Sequence, residues 1–220
     1  MSDSEKLEGL DDAELVRRTL AGDKQAGGVL LRRHQRSVRR IFQINVSDPD
    51  AVDDLTQDTM FSCFRNLSAL ERPASFRAWM LGTAYNKLKD YYRKKKQAQS
   101  RFDYDALSAY EVEGPDAPFQ VIVARHDARM LVEALRQLPL HTQQLLLYFY
   151  WDKLKRTEIA EILGIPVGTV GGRLCSARKQ LRDHIDVLEL AHRPLHDTTR
   201  PLEKWQHEIR DPEPAMDSSR

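Results

Sequence analysis

Cysteine, long apolar runs and alternating β-rich segments are all scarce in this sequence, and each scarcity excludes a class of protein. Only Cys63 and Cys175 occur among 220 residues, far apart and outside any CxxC pair, so we expect reduced packing residues and no disulfide framework. No apolar run approaches the roughly 20 residues that cross a bilayer. The acidic N-terminus lacks the apolar segment of a signal peptide, so a cytoplasmic protein without membrane insertion is expected.

Motifs for catalysis and for metal binding are missing as well. The chain has no phosphate-binding glycine loop, no HExxH and no recognisable nucleophile motif. His192 and His196 are four residues apart, but Pro194 between them spoils the helical spacing that a metal site would use. We therefore expect no enzyme, no catalytic residue, no metal site and no cofactor.

What the sequence does have is a high content of helix-forming residues. Leu, Ala, Arg, Lys, Glu and Gln are frequent, and 30% of the residues are charged. The composition predicts an all-α fold, and its proline and glycine clusters divide it into two helical domains joined by a flexible linker. The expected domains are residues 1–96 and 119–186, the linker is 97–118, and the acidic, proline-containing extension 187–220 is either disordered or regulatory.

Residues 155–181 predict a helix-turn-helix, a motif that places its second helix in the DNA major groove. Gly164 suits the left-handed backbone that ends the first helix. Apolar residues recur in the second helix at steps of three and four, which predicts a core-facing side. That side comprises Val167, Val170, Leu174, Ala177 and Leu181, and the opposite side comprises Thr169, Arg173, Ser176 and Lys179.

The first domain also carries helix signals. Residues 11–20 read as a helix, a second helix contains Val29 to Phe42, and Gly27-Gly28 are expected to fray its start. Ser47-Asp48-Pro49 is a helix-start signal for a helix over residues 50–67.

Charge is segregated along this domain. Residues 47–66 hold five Asp against one Arg, whereas residues 75–101 hold eight Lys/Arg against one Asp. At the basic end, Asn86, Lys89, Tyr91, Tyr92 and Arg93 suit single-stranded nucleic acid, because cations track phosphates while rings stack on bases. A solvated basic helix end with partly buried tyrosines fits the same composition.

Four stretches in order resemble the extracytoplasmic-function group of bacterial sigma-70 transcription initiation factors. They begin DDAELVRR, DAVDDLTQD, FRAWMLGTA and LRQLPLHTQ, and the resemblance covers residues 10–186. It implies a region 2-like domain, a region 4-like domain and three partners: core RNA polymerase (its β′ clamp and β flap), promoter DNA and an anti-sigma factor.

The resemblance also assigns roles to residues. It implies polymerase docking by Asp53, Asp54, Gln57 and Asp58. It implies −10 recognition and melting by Asn86, Lys89, Tyr91, Tyr92 and Arg93. It implies −35 contacts by Lys155, Arg156, Thr169, Arg173, Ser176, Arg178 and Lys179.

The predicted reading helix departs from the family pattern at Gly171-Gly172. The family commonly has Lys or Arg followed by Ser at these two positions, and larger side chains at those of Cys175 and Ser176. We therefore predict weak or unusual −35 readout. The glycine pairs at 27–28 and 171–172 also motivate an alternative, a degenerate sigma-like protein that binds polymerase or an anti-sigma factor without directing initiation.

Overall fold

The computed structural model describes residues 3–100 and 126–191, and within these ranges the regular secondary structure is helical, without a strand. This confirms the predicted all-α class. The helices are α1 (Asp3–Glu8), α2 (Asp12–Leu20), α3 (Lys24–Asn45), α4 (Pro49–Arg65), α5 (Phe76–Ser100), α6 (His126–Arg136), α7 (Leu140–Leu146), α8 (Arg156–Leu163) and α9 (Val167–Ala191). Short 3₁₀ turns occupy Leu67–Ala69 and Pro73–Ser75, and a π-helical turn occupies Leu147–Trp151.

Two compact units are distinguished by Cα proximity. One holds α1 to α5 together with residues 157–165, and the other holds α6, α7 and α9. Most of the predicted linker and of the C-terminal extension lies outside the described residues. At the edges of those segments, α5 continues to Ser100 and α9 continues to Ala191.

In the first unit, α3 packs against α2, α4 and α5. Local chemistry fixes where these helices begin. Asp11 caps α2 by accepting a hydrogen bond from the Glu14 amide at 2.7 Å, and Asp48 caps α4 by accepting one from the Asp50 amide at 3.1 Å, with Pro49 as the first helical residue. The helix-start signal at Ser47-Asp48-Pro49 is therefore confirmed.

A partly buried polar cluster joins α2 to α3. The Asp12 carboxylate lies 2.6 Å from Nε2 of the buried His34 and accepts a hydrogen bond from Arg33 Nη1 at 2.7 Å. Arg33 Nη2 also donates to the carbonyl oxygens of Glu8 and Leu10. Burial alone raises the pKa of Asp12, but the His34 and Arg33 contacts outweigh burial and leave that pKa below its usual value.

The predicted fraying at Gly27-Gly28 is wrong, because α3 runs without interruption from Lys24. Gly27 is buried where three helices approach closely. A Cβ atom there would lie 2.8 Å from Phe64 Cε2 on α4 and 2.9 Å from Thr19 Cγ2 on α2. Glycine at this position therefore permits packing that a larger side chain would obstruct.

In the second unit, α9 packs against α6 and α7. The buried side of α9 is Val170, Leu174, Ala177 and Leu181, as predicted. The prediction for Val167 is wrong: this first residue of α9 is 46% exposed. Cys63 is buried as expected, but Cys175 is exposed and is not a packing residue.

The end of α8 follows the predicted pattern. Gly164 has φ +65°, the left-handed conformation that glycine adopts most readily. The Ile165 amide donates to the Ala160 carbonyl oxygen at 3.0 Å, so an otherwise orphaned carbonyl at the helix end is satisfied. The predicted glycine cap is therefore confirmed.

Candidate functional site

The predicted acidic surface, Asp53, Asp54, Gln57 and Asp58, lies on α4. Asp54, Gln57 and Asp58 are exposed, and Asp53 is half-buried. Two of the carboxylates already meet cations of neighbouring helices: Asp53 pairs with Arg39 of α3, and Asp58 Oδ2 lies 2.9 Å from Lys87 Nζ of α5. Exposed pairs of this kind contribute at most about 1 kcal/mol, so a partner's cation can replace the intramolecular one.

The predicted basic helix end lies on α5, and the structure divides its residues into two sets. Asn86, Lys89 and Arg93 are exposed at helical steps of three and four, so they share one face. Lys89 Nζ lies 4.7 Å from the centre of the Tyr85 ring, and Arg93 Nη2 lies 3.0 Å from Asp90 Oδ1. This face presents one amide and two cations to solvent.

The second set is an aromatic pair, Tyr91 and Tyr92, which is half-buried. The two rings meet edge to face with centroids 5.7 Å apart. The Tyr92 hydroxyl donates to the Asn45 carbonyl oxygen at 2.6 Å, which ties α5 to the end of α3. Burial raises the pKa of the Tyr91 phenol, and the nearby Asp48 carboxylate raises it further. A packing contact thus already occupies the Tyr92 hydroxyl.

The predicted −35 surface consists of seven exposed side chains, five of them on α9. One contact could not be predicted from the sequence. The guanidinium of Arg178 donates a hydrogen bond to the phenol oxygen of Tyr150, a buried residue of the π-helical turn, and this contact raises the pKa of Arg178. Thr169 also has an internal partner, because its hydroxyl donates to the Pro166 carbonyl oxygen at 2.6 Å. The seven residues are Lys155, Arg156, Thr169, Arg173, Ser176, Arg178 and Lys179.

One further titratable group lies beside this surface. Burial lowers the pKa of His141 on α7, and the positive charge of Arg173 lowers it further. Both effects favour the neutral imidazole of His141 beside this surface.

The glycine pair of α9 sits inside an unbroken helix with open space around it. A Cβ atom at Gly172 would meet no atom within 4 Å, and one at Gly171 would lie 3.8 Å from Arg156 Nη1. Gly168, which sequence reasoning did not single out, likewise faces open space. This part of the helix surface therefore offers backbone and small side chains where longer ones would fit.

In the part of the chain that the structure describes, no cluster of three or more His, Cys, Asp or Glu is arranged to hold a metal ion. His192 and His196 lie outside those residues. None of the described helices is long and apolar enough to span a bilayer.

Comparison with known proteins matches two parts of the chain to family models. Residues 30–98 match the model of sigma-70 region 2, and residues 128–181 match that of sigma-70 region 4. The extracytoplasmic-function sigma-E factor of Haemophilus influenzae is 27% identical over 187 residues, which cover 82% of this chain and 98% of that protein.

A second relative and a solved structure agree with these matches. The sigma factor HrpL of Pseudomonas syringae is 32% identical over 151 residues, covering 68% of this chain and 81% of HrpL. The fold is similar to that of the sigma factor RpoE from Bartonella quintana in complex with the anti-sigma factor NepR, with a TM-score of 0.54, 18% identity and coverage of 70% of this chain and 92% of RpoE.

Proposed function

Because the chain belongs to the extracytoplasmic-function group of the sigma-70 family, we propose that it binds core RNA polymerase and directs initiation at promoters with −10 and −35 elements. Proteins of this family are initiation factors without catalytic activity, so the chain is not an enzyme. The observation that supports the proposal most is that the region 2 span carries an acidic helix face and a basic helix end, both exposed.

Docking on the polymerase uses the acidic surface of α4. Asp54 and Gln57 are exposed and meet basic groups on the β′ clamp, while Asp58 exchanges Lys87 for a cation of the partner. Opposite charges across such an interface mainly raise the association rate and fix orientation. The domain that matches sigma-70 region 4 makes a second contact with the polymerase, at the β flap.

Recognition of the −10 element uses the exposed face of α5. Asn86 offers an amide that can hydrogen-bond an unstacked base, and Lys89 and Arg93 hold the phosphates of the displaced strand. Tyr91 and Tyr92 are half-buried on the same helix, and the solvent-accessible parts of their ring faces stack on bases. Extruding a base costs a few kcal/mol, so the protein melts DNA by binding the open form more tightly than the duplex.

Binding of the −35 element relies on phosphates more than on bases. Arg173, Arg178 and Lys179 are exposed along α9, and the bond to Tyr150 orients Arg178. Phosphate contacts fix register and carry no direct sequence information. Since Gly171 and Gly172 have no side chains to reach base edges, we place most of the sequence specificity at the −10 element.

Run-off transcription with core polymerase tests the proposal. The wild-type protein is expected to give one promoter-specific product, and Asp54→Ala is expected to reduce its yield at limiting protein concentration. Glu8→Ala, which removes an exposed acid from α1, is the matched control and should leave the product unchanged. Absence of any promoter-specific product with the wild-type protein would contradict the proposal.

A non-initiating interaction protein is the alternative that one observation favours, namely the open Gly171-Gly172 surface of α9. Gly27 no longer supports it, because packing accounts for that glycine. A protein of this kind would copurify with core polymerase yet give no run-off product. We also propose an anti-sigma factor as the regulatory partner, in line with the anti-sigma factor bound to the structurally similar RpoE.

A further inference from the structure

Phe61 is an exposed aromatic residue in register with the acidic surface of α4. It follows Asp54, Gln57 and Asp58 by seven, four and three residues, and these are the spacings that place side chains on one face of a helix. The Phe61 side chain is 61% exposed. This face of α4 therefore combines carboxylates and an amide with an exposed aromatic ring.

The fold gains little from Phe61. Hydrophobic stabilisation scales with the apolar area removed from water, and most of this ring stays in water. Phe64 differs, although it is 43% exposed, because it packs closely over Gly27. Phe61 is thus the residue of α4 whose apolar area is available to a partner at no cost to the packing of the unit.

The surroundings of the ring indicate the chemistry of that partner. The Arg65 guanidinium carbon lies 5.5 Å from the centre of the Phe61 ring, so the ring face accommodates a cation. The neighbouring Asp54 and Asp58 also attract cations. A partner surface that combines basic groups with apolar side chains complements all of these residues together.

We propose that Phe61 is the apolar anchor of the polymerase-docking surface, inserted among basic and apolar side chains of core RNA polymerase. The inference rests on the proposed function, since it takes the polymerase as the partner of the acidic surface. Binding energy at protein interfaces concentrates in a few aromatic or Arg residues near the centre, while charged neighbours supply orientation. Phe61 fills the first role, and Asp54 and Asp58 fill the second.

The test measures equilibrium binding of the full chain to purified core RNA polymerase. Phe61→Ala should raise the dissociation constant by roughly tenfold or more, the range of an interface anchor. Its midpoint of urea unfolding should stay at the wild-type value, because the ring is exposed. The control is Leu20→Ala, which trims another exposed apolar side chain (50% exposed) on α2 and should bind as the wild type does.

The results separate this inference from the proposed function. If Asp54→Ala weakens binding but Phe61→Ala binds like the wild type, the anchor role is refuted and polymerase docking stands. If the wild-type protein does not bind core polymerase, both are refuted. If Phe61→Ala abolishes self-association in analytical ultracentrifugation and leaves polymerase affinity unchanged, the ring serves a contact between copies and the inference is overturned.

Discussion

Replacing Gly171 and Gly172 by alanine should stabilise the protein. Both glycines lie inside α9, and the added Cβ atoms meet no atom closer than 3.8 Å. A glycine in a helix interior costs about 0.5–1 kcal/mol relative to alanine, so the double variant should raise the free energy of unfolding by about 1–2 kcal/mol. Urea unfolding followed by circular dichroism measures this change. The alanine pair adds no group that can bond a base.

A second variant, Gly171→Arg with Gly172→Ser, adds the side chains that the family commonly has at these two positions. The new Arg would lie beside Arg156 Nη1, so like-charge repulsion should make its stability gain smaller than that of the alanine pair. Its DNA binding should improve, because each good bidentate base contact contributes about 1–3 kcal/mol of discrimination. Fluorescence anisotropy with a −35 duplex, compared with a duplex mutated in the −35 element, reports the gain.

Two results would refute this reasoning. A lower free energy of unfolding for the alanine pair would mean that α9 requires glycine for packing, against the open space around both positions. Equal −35 affinity for the alanine pair and the Arg/Ser pair would mean that side chains at these positions do not reach base edges.

Three further predictions concern the region 2-like unit. Gly27→Ala should lower the free energy of unfolding by about 1–3 kcal/mol through overpacking. Gly28→Ala should raise it by up to about 1 kcal/mol, because the added Cβ meets only the end of the Arg32 side chain. Urea unfolding of both variants measures the two changes, and equal effects would contradict the prediction. The pKa of Asp12 is lowered in the folded protein, so this carboxylate stabilises the fold fully above the ordinary value of 3.8. That stabilisation is lost as the pH falls through the lower pKa of the folded state. Asp12→Asn should therefore cost about 1–3 kcal/mol at pH 7 and less at pH 3, by urea titration at each pH. Tyr92→Phe should cost about 0.5–1.5 kcal/mol of stability by losing the bond to Asn45, while permanganate footprinting should still detect promoter melting; loss of melting would assign the hydroxyl to DNA.

Structural features with a local cause could be predicted from the sequence. The start of α4 follows from an Asp cap and a proline at the first helical position, and the end of α8 follows from a glycine with positive φ. The buried side of α9 follows from apolar periodicity, which reports only which residues share a face.

Prediction from the sequence failed where the cause is tertiary. Gly27 was expected to fray α3, because nothing in the sequence shows that α2 and α4 approach it within van der Waals distance. The bonds of Tyr92 to Asn45 and of Arg178 to Tyr150 join residues 47 and 28 positions apart, and periodicity cannot pair them. The exposure of Phe61 is a similar case: spacing places this residue on the acidic face of α4, but only the packed structure shows that 61% of the side chain is exposed.

Mapping of transcript 5′ ends in bacteria that overproduce the wild-type protein shows whether this chain directs initiation at promoters of its own. The Asp54→Ala variant is the control. We expect new start sites that share a well-defined −10 element and a weaker −35 element, and fewer such sites with the variant. New starts without a common upstream element, or no new starts from a protein that copurifies with polymerase, would contradict this expectation.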